Sequence, residues 1–313
     1  MFITNAIRHF HFQKTQQVST LLHSRKVHFD GIQNKVAKIS FSDPNGKVGV
    51  LSLARLEAFG ALLTQMEDLN IEALVINIDN LAGADLKMIQ EGLDDPVLLK
   101  KIVETGHRVF YQLALLPIPT FAFIRKACLG GALELGLPCD YRVVEDDPKT
   151  ILGLPEVKLG LFPCWGGTQR FPRLVGGTQA LNMIMNGELV TALQARQIQL
   201  ADAIFSREMI KEKGEEFIHS CLTPEGKKQV EENRRHIQRP AWPGFSEERY
   251  KTAGMLACEL IYASNTLPLK RGLKLEKDTF LGMSPEEHAA AKGLVTAFLE
   301  KKPPFASNRE SLS

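Results

Sequence analysis

Two glutamates near the middle of the chain, Glu134 and Glu156, each follow residues that are typical of tight turns. Glu134 comes after Gly130 and Gly131, and Glu156 comes after Pro155, 22 residues further along. A glycine N–H can approach a ligand closely because no Cβ intervenes. An amide donor beside a carboxylate suits proton transfer at a carbon next to a carbonyl, since the donor stabilises the oxyanion that develops. The same residues are also typical of an ordinary strand-to-helix turn with a solvated glutamate, and both interpretations stay open here.

Composition narrows the class of protein. The chain has 313 residues and is 44% hydrophobic, enough for one or two domains with a sizeable core. Its net charge of +2 gives no overall attraction to nucleic acid or to a membrane surface. No apolar run is long enough to predict a transmembrane span. The cysteines have no CxxC spacing, which indicates neither a disulfide framework nor a metal site; they are Cys128, Cys139, Cys164, Cys221 and Cys258.

Residues 1–29 differ in composition from the rest. They contain no acidic residue and several basic ones, and they are rich in Ser, Thr and Gln. Such a segment resembles a mitochondrial transit peptide, but it is equally typical of an N-terminal extension in a bacterial protein. We expect the second, and with it a cytoplasmic location; the mitochondrial matrix is the alternative.

Short apolar runs alternate with helical patterns, which predicts an α/β fold with a mostly parallel sheet. The predicted strands are Val36–Phe41, Leu74–Ile78, Thr120–Ile124, Tyr141–Val144 and Leu200–Phe205. Helices are predicted over Leu53–Met66 and Pro96–Leu116. The sequence has neither GxGxxG after a strand nor a P-loop, so the common nucleotide-binding folds lose their main support.

The character of the chain changes after residue 206. A charged stretch and the linker-like Arg239–Gly244 precede three predicted helices, Lys251–Ala263, Leu269–Leu281 and Ser284–Glu300. We therefore divide the chain into an N-terminal extension or targeting segment (1–29), a core (30–220), a linker (221–249) and a C-terminal helical region (250–313).

Four segments, in order, resemble motifs of the crotonase (enoyl-CoA hydratase/isomerase) superfamily. They are Lys47–Ser52, Ala82–Lys87, Leu129–Glu134 and Leu154–Arg170. The C-terminal part, from Leu267 to Phe298, is similar to the helical linker after the hydratase domain of bifunctional fatty-acid oxidation proteins. The resemblance implies a crotonase-like spiral of ββα units followed by a C-terminal helical region.

The resemblance also implies a chemistry. The family binds acyl-CoA thioesters and stabilises an enolate-like oxygen with two backbone N–H groups, which here match Ala84 and Gly131. Both glutamate positions of the hydratases are filled, so Glu134 is expected to act as base toward a water molecule and Glu156 to exchange the α-carbon proton. The implied reaction is hydration of a trans-2-enoyl-CoA in fatty-acid oxidation. It needs neither metal nor redox cofactor, because coenzyme A is part of the substrate.

Further positions are expected to contact the substrate or its coenzyme A part: Lys47, Gly83, Asp85, Gly130 and Trp165. The expected partners are the acyl-CoA thioester and further copies of this chain, with a separate dehydrogenase or thiolase as another candidate. No nucleic acid and no membrane span are expected.

The chain departs from the family pattern at several positions, which keeps two alternatives open. Arg125-Lys126 replaces Asn-Gly, Ala132 replaces a glycine, and Cys164-Trp165 stands near the pocket. The span between the glutamates is two residues longer than usual, within Glu145–Leu152, so a shift of the strand end would displace Glu156. Cys164 is expected to be a wall residue rather than a nucleophile. The alternatives are a Δ3,Δ2-enoyl-CoA isomerase and a non-catalytic protein that binds acyl-CoA or a partner.

Overall fold

The computed structural model describes residues 27–43, 47–66, 69–235 and 252–300. Most of the segment 1–29 and the whole of the linker-like Arg239–Gly244 lie outside these ranges. None of the helices within them combines the length and the apolar character that a membrane span needs.

The described part of the chain forms one sheet of nine strands, and six of them follow the order β1-β2-β4-β5-β6-β9. Their bounds are β1 His28–Gln33, β2 Val36–Phe41, β3 Gly49–Leu51, β4 Ala73–Ala84, β5 Thr120–Leu129, β6 Tyr141–Asp146, β7 Ile151–Gly153, β8 Leu189–Thr191 and β9 Ala203–Ser206. The pairs β1–β2 and β7–β8 are antiparallel and the other pairs are parallel. The predicted, mostly parallel sheet is therefore confirmed.

The two central strands, β4 and β5, are longer than their apolar runs predicted. Each continues beyond the buried core, and Leu81 still pairs with Cys128 near the end. Because the strands are parallel, their carboxyl ends meet at one edge of the sheet, where α/β proteins commonly bind ligands. That edge carries Ala84 at the end of β4 and Leu129 at the end of β5.

Along the chain, the helices of the core lie between these strands and after the last of them. Their bounds are α1 Leu53–Met66, α2 Leu86–Asp94, α3 Pro96–Ala114, α4 Gly131–Gly136, α5 Gly167–Val175, α6 Gly177–Asn186, α7 Ala192–Gln197, α8 Ile210–Cys221 and α9 Pro224–Arg235. A 3₁₀ helix covers Glu156–Leu159. The start of α3 shows the local cause: Asp95 accepts hydrogen bonds from the N–H groups of Val97 and Leu98, and Pro96 stands in the first turn.

The hydrophobic core lies mainly on one face of the sheet. Ala37, Ile39 and Phe41 are alternate residues of β2 and are all fully buried, and Phe41 meets Phe59 of α1 edge to face. A smaller hydrophobic cluster around Phe121, formed by β5 and its neighbouring strands, packs against α8. Burial on both sides of the central strands explains why their apolar runs are continuous.

The C-terminal region consists of α10 Thr252–Thr266, α11 Leu269–Leu281 and α12 Pro285–Glu300, close to the three predicted helices. It packs on the core through specific polar contacts. The side chain of Gln169 donates to the Leu260 carbonyl at 2.7 Å, and Arg173 donates to the Leu267 carbonyl at 2.8 Å. The predicted linker 221–249 differs from the structure in part, because it contains α9. The division into domains stays a prediction.

Candidate active site

Glu134 is placed by a helix that begins on glycines. Gly130 caps α4 with φ 54°, a left-handed conformation that favours glycine, and its carbonyl accepts from the Glu134 N–H at 3.0 Å. The Glu134 side chain is 2% exposed. Its Oε1 accepts two hydrogen bonds of 2.7 Å from the backbone N–H groups of Trp165 and Gly167. The Glu134 carboxyl group is therefore held in place by main-chain N–H donors at the start of α5.

The amides of Ala84 and Gly131 lie side by side where β4 and β5 end. A Cβ built on Gly131 would lie 3.3 Å from the Ala84 nitrogen. Gly83 has φ 97°, and a Cβ there would lie 2.6 Å from the Leu129 oxygen, so this close approach requires glycine. As the first residue of α4, Gly131 has no carbonyl within its own helix to receive its N–H. The two segments predicted to hold an oxyanion are thus adjacent.

Glu156 lies beside Gly130, at the start of the 3₁₀ helix. A Cβ on Gly130 would be 2.8 Å from Glu156 Oε1. The Glu156 side chain is partly buried, and its Oε2 is inaccessible and has no hydrogen-bond partner among the described residues. A carboxyl oxygen that is removed from water and has no partner favours the protonated form of the group.

The longer span between the glutamates is absorbed by a loop. β6 ends at Asp146 and β7 begins at Ile151, and a turn between them is closed by the Thr150 N–H on the Asp147 carbonyl at 2.9 Å. β7 then pairs with β5 so that Gly153 is opposite Leu129. This pairing brings the turn that follows β7, and with it Glu156, next to Gly130.

A third buried carboxylate, Glu276 of α11, is a site residue that the sequence reasoning missed. Its side chain is 0% exposed. Oε1 accepts from the Gly166 N–H at 2.6 Å, and Oε2 accepts from the N–H and the hydroxyl of Thr168 at 2.9 and 2.5 Å. A signal was present: on α11 the buried positions are Gly272, Leu273, Glu276 and Phe280, so the glutamate stands on the apolar face.

Burial raises the pKa of all three carboxyl groups. The pKa of Glu134 is raised to about 7, although the two amides that it binds favour its charged form. The pKa of Glu156 is raised well above its usual range by burial and then by the charge of Glu134. Burial raises the pKa of Glu276 to about 8, and the charge of Glu134 adds to the effect. Such a cluster holds at least one proton at neutral pH, as a site for acid and base chemistry requires.

Two basic side chains border this cluster and differ in charge. Burial lowers the pKa of His107 to about 4, so the imidazole is neutral where its Nε2 lies 3.4 Å from Glu276 Oε1. Burial also lowers the pKa of Arg170, to about 10, which leaves the guanidinium charged at neutral pH. Arg170 is the buried positive charge that favours the ionised form of Glu134.

Trp165 forms part of the wall beside the predicted oxyanion segment. The side chain is 2% exposed, and a Cβ on Gly131 would lie 2.5 Å from its Cζ3. Its ring meets Phe110 edge to face at 5.8 Å and also covers Gly106 of α3. The neighbouring Cys164 is buried, and burial raises the pKa of its thiol well above the usual range, so it is not a thiolate nucleophile at neutral pH.

The remaining predicted contacts are not brought into this cluster. Lys47 is exposed and precedes β3 by two residues. The Asp85 carboxylate accepts from the Lys87 N–H at 3.0 Å and so caps α2. Their roles toward coenzyme A stay predictions.

A sequence profile of the enoyl-CoA hydratase/isomerase family matches residues 31–241. The chain belongs to this family. Curated relatives include the fatty acid oxidation complex subunit alpha of Aliivibrio fischeri, 34% identical over 305 residues, which cover 89% of this chain and 43% of that protein. The subunit of the same name from Vibrio vulnificus is 36% identical over 191 residues, 59% of this chain and 27% of the relative. The chain thus spans less than half the length of these relatives.

Solved structures confirm the crotonase-like α/β fold. An enoyl-CoA hydratase from Rhodobacter sphaeroides superposes with a TM-score of 0.69 at 19% identity, covering 88% of this chain and 90% of that one. An enoyl-CoA hydratase from Bacillus anthracis gives a TM-score of 0.55 at 27% identity, covering 89% and 98%. The first likeness shows the fold alone, so the specific reaction has to be argued from the site.

Proposed function

We propose that this protein is an enoyl-CoA hydratase, which adds water across a trans-2-enoyl-CoA to give a 3-hydroxyacyl-CoA. One observation carries the proposal: the carboxyl groups of Glu134 and Glu156 both have a raised pKa, and they belong to segments that adjoin the neighbouring amides of Ala84 and Gly131. Proton transfer needs groups that exchange protons near neutral pH, and addition to a thioester needs stabilisation of its oxygen.

In the proposed reaction the thioester oxygen accepts hydrogen bonds from the Ala84 and Gly131 N–H groups. Negative charge moves onto this oxygen when a nucleophile adds to the β-carbon. Donors that are already oriented need no reorganisation, and one such donor typically contributes about 3–4 kcal/mol to transition-state stabilisation. The glycines at 83 and 131 serve this step because they let both main chains approach.

The two carboxyl groups take different parts in the proton transfers. Glu134 is partly ionised at neutral pH and removes a proton from water, whose oxygen bonds to the β-carbon. Glu156 is protonated, because its buried Oε2 has no partner and neighbouring charges oppose its ionisation, and it gives its proton to the α-carbon. The β-carbon thus gains a hydroxyl group and the α-carbon gains a proton. Transfer of a proton from Glu134 back to Glu156 then restores the starting protonation state of both carboxyl groups.

The names of the curated relatives extend the proposal to fatty-acid oxidation. These relatives are subunits of fatty acid oxidation complexes. By analogy we propose a role in that process, in the cytoplasm, as a homo-oligomer. Association with a separate dehydrogenase or thiolase belongs to the same proposal.

A second candidate, Δ3,Δ2-enoyl-CoA isomerase, is favoured by one asymmetry of the site. Glu134 Oε1 already accepts hydrogen bonds from two backbone N–H groups, whereas Glu156 Oε2 accepts no hydrogen bond from the described residues. A single mobile carboxyl group suffices to carry a proton from the C2 to the C4 position of a 3-enoyl thioester. The two reactions are separated by their need for the second carboxylate.

The test measures both reactions through the absorbance of the conjugated enoyl thioester. Hydration is the loss of this absorbance with crotonyl-, octenoyl- and hexadecenoyl-CoA, and isomerisation is its gain with a 3-enoyl-CoA. We expect hydration by the wild type and a loss of about 10²–10⁴-fold in Glu134→Gln and in Glu156→Gln. Glu259→Gln is the matched control, because Glu259 is exposed on α10 and outside the site.

The other outcomes identify the alternatives. Isomerisation that survives in Glu134→Gln, without hydration by the wild type, would establish the isomerase. Absence of both reactions, with retained binding of butyryl-CoA in calorimetry, would leave a protein that binds acyl-CoA without catalysis.

A further inference from the structure

Two carboxylates share four consecutive amides at the start of α5. The N–H groups of Trp165 and Gly167 donate to Glu134, and those of Gly166 and Thr168 donate to Glu276. We call residues 165–168 the amide segment. Its donors alternate between a glutamate of the core and a glutamate of the C-terminal region. Neither set of bonds can change without moving the peptide planes that form the other.

Glu276 reaches the amide segment because α11 packs directly on it. A Cβ on Gly166 would lie 3.2 Å from the Leu273 side chain. A Cβ on Gly272 would lie 2.0 Å from Gln169 Oε1, so only a glycine leaves room for that side chain. An ionisable side chain that is 0% exposed is costly unless its oxygens are bound, and both oxygens of Glu276 are. Ordinary packing of α11 would be served by an apolar residue at this position. The carboxyl group of Glu276 is therefore explained by the hydrogen bonds that it accepts from the amide segment.

We propose that Glu276 is a positioning residue of the active site, which holds the amide segment so that Trp165 and Gly167 keep Glu134 in its reactive orientation. The inference rests on the proposed function, since it assigns a task within that reaction. It makes the C-terminal helical region part of the catalytic unit. Glu276 acts through the segment and has no contact with the reacting atoms.

The carboxylate is required because two separate oxygens accept. Oε1 faces the Gly166 N–H, and Oε2 faces the N–H and hydroxyl of Thr168. An amide side chain at this position turns an NH₂ group toward one of these donors, which breaks that bond and leaves a buried donor unpaired. Glu276→Gln therefore loosens one end of the segment while it keeps size and shape.

The charged and titratable groups around Glu276 come from several elements. His107 of α3 is 3.4 Å away, Arg170 of α5 is a buried cation, and Glu134 and Glu156 are buried carboxyl groups. Where Glu276 is ionised, around and above its pKa of about 8, its charge repels that of Glu156, and Glu276→Gln removes this repulsion. The variant is therefore expected to shift the pH profile of hydration toward lower pH, an effect that loss of packing alone would not cause.

The experiment compares wild type, Glu276→Gln and Glu259→Gln in the full chain. Steady-state hydration of crotonyl-CoA is measured from about pH 5 to 9, and amide exchange of the peptide containing the amide segment is followed by mass spectrometry. For Glu276→Gln we expect kcat to fall about 10–100-fold with KM within about threefold, because misplaced groups lower turnover more than binding. We expect exchange of the segment to quicken about tenfold, and both properties to be unchanged in Glu259→Gln.

Thr168→Val is the second variant, in case Glu276→Gln does not fold. It removes the hydroxyl bond to Oε2 and the bond that the hydroxyl accepts from Gln169, and it keeps the backbone bonds, so a smaller effect of the same kind is expected, about threefold to tenfold in kcat. Unchanged exchange of the segment in these variants would overturn the proposal whatever the activity. Faster exchange with unchanged kcat and pH profile would also overturn it, since the role would then be structural. Faster exchange in a protein whose wild type hydrates no enoyl thioester would overturn the proposed function instead.

Discussion

The amide segment, residues 165–168, and the Glu156 turn, residues 155–160, both border the candidate site and differ in how their polar groups are satisfied. The segment gives each of its four N–H groups to a carboxylate. The turn, in contrast, presents a carboxyl oxygen with no partner among the described residues. One region fixes a carboxylate through hydrogen bonds, whereas in the other region burial and the charge of Glu134 raise the pKa of a carboxyl group.

This difference explains how two glutamates acquire different roles. Amide donors favour the ionised form of Glu134 and so oppose the effect of burial on its pKa. Glu156 has burial and neighbouring negative charge acting in the same direction. A base and an acid thus arise from one residue type, because their surroundings differ. The predictions below change one region at a time, in order of decreasing expected effect.

The largest effect is expected when a side chain is added within the amide segment. In Gly167→Ala the new Cβ would lie 2.5 Å from the Pro163 Cβ and 2.8 Å from Glu134 Oε1. The carboxylate must move, and we expect kcat for hydration to fall about 10²–10³-fold. Gly293→Ala on α12 is the control, since nothing lies within 4 Å of its added Cβ. A variant with more than a third of wild-type activity would show that the fixed geometry does not matter.

The next effect is on folding stability. Trp165 anchors the amide segment and is 2% exposed, so Trp165→Ala should lower the free energy of unfolding by about 3–5 kcal/mol in urea titrations. Val157 in the Glu156 turn is only partly buried, and Val157→Ala should lower it by about 1 kcal/mol or less. Equal losses would contradict the view that the segment is the more rigidly packed region.

Replacement of Gly160 in the Glu156 turn is expected to lower stability but not activity, in contrast to Gly167→Ala. Gly160 has φ 69°, and an added Cβ would lie 3.1 Å from the Leu294 side chain. Gly160→Ala should destabilise the fold by about 1–3 kcal/mol through backbone strain. Because Glu156 itself needs no fixed partner, we expect kcat within about threefold at a temperature where the variant is folded. A loss of activity like that of Gly167→Ala would remove the distinction between the two regions.

The dependence of stability on pH sharpens the comparison. The raised pKa of Glu156 means that the folded state binds more protons than the unfolded state above the ordinary pKa of a glutamate. Stability then falls as pH rises through this range, by up to about 1.4 kcal/mol per pH unit for the group. Glu156→Gln should flatten the decline that begins above the ordinary pKa of a glutamate, about 4.3, in urea titrations. An unchanged slope, equal to that of Glu259→Gln, would show that Glu156 ionises normally.

The smallest effect is expected far from both regions. Lys292 of α12 pairs with Asp94 of α2 at 2.6 Å, and both side chains are largely exposed. Lys292→Gln should change the free energy of unfolding by less than about 1 kcal/mol, because solvent and salt screen such pairs. A larger loss in urea titrations would mean that docking of α12 depends on this ion pair rather than on apolar contacts.

Much of the fold follows from local patterns. Val36–Phe41, Leu53–Met66 and Leu269–Leu281 form a strand and two helices with the bounds that their periodicity predicts. The ends of β4 and β5 were missed because glycines and polar residues there are held by neighbouring strands rather than by local preference. The short strands β7 and β8 have three residues each, too few for a periodic signal.

Local sequence patterns also predict part of the candidate site. Glu134, Glu156 and the glycines lie in segments whose order along the chain resembles the family motifs, and the structure brings these segments together. Glu276 binds residues that precede it by 108 and 110 positions, a contact that only tertiary packing creates. Its position on the apolar face of α11 was the available signal, since a glutamate there must be buried.

The most direct test of the account is a double-mutant cycle on the hydration of crotonyl-CoA. Glu134→Gln and Glu156→Gln should each lower kcat/KM about 10³-fold, and the double variant should be no more than about tenfold below either, because base and acid act in one reaction. Retention of wild-type turnover by either single variant, or a double loss equal to the product of the single losses, would contradict the two-carboxylate mechanism.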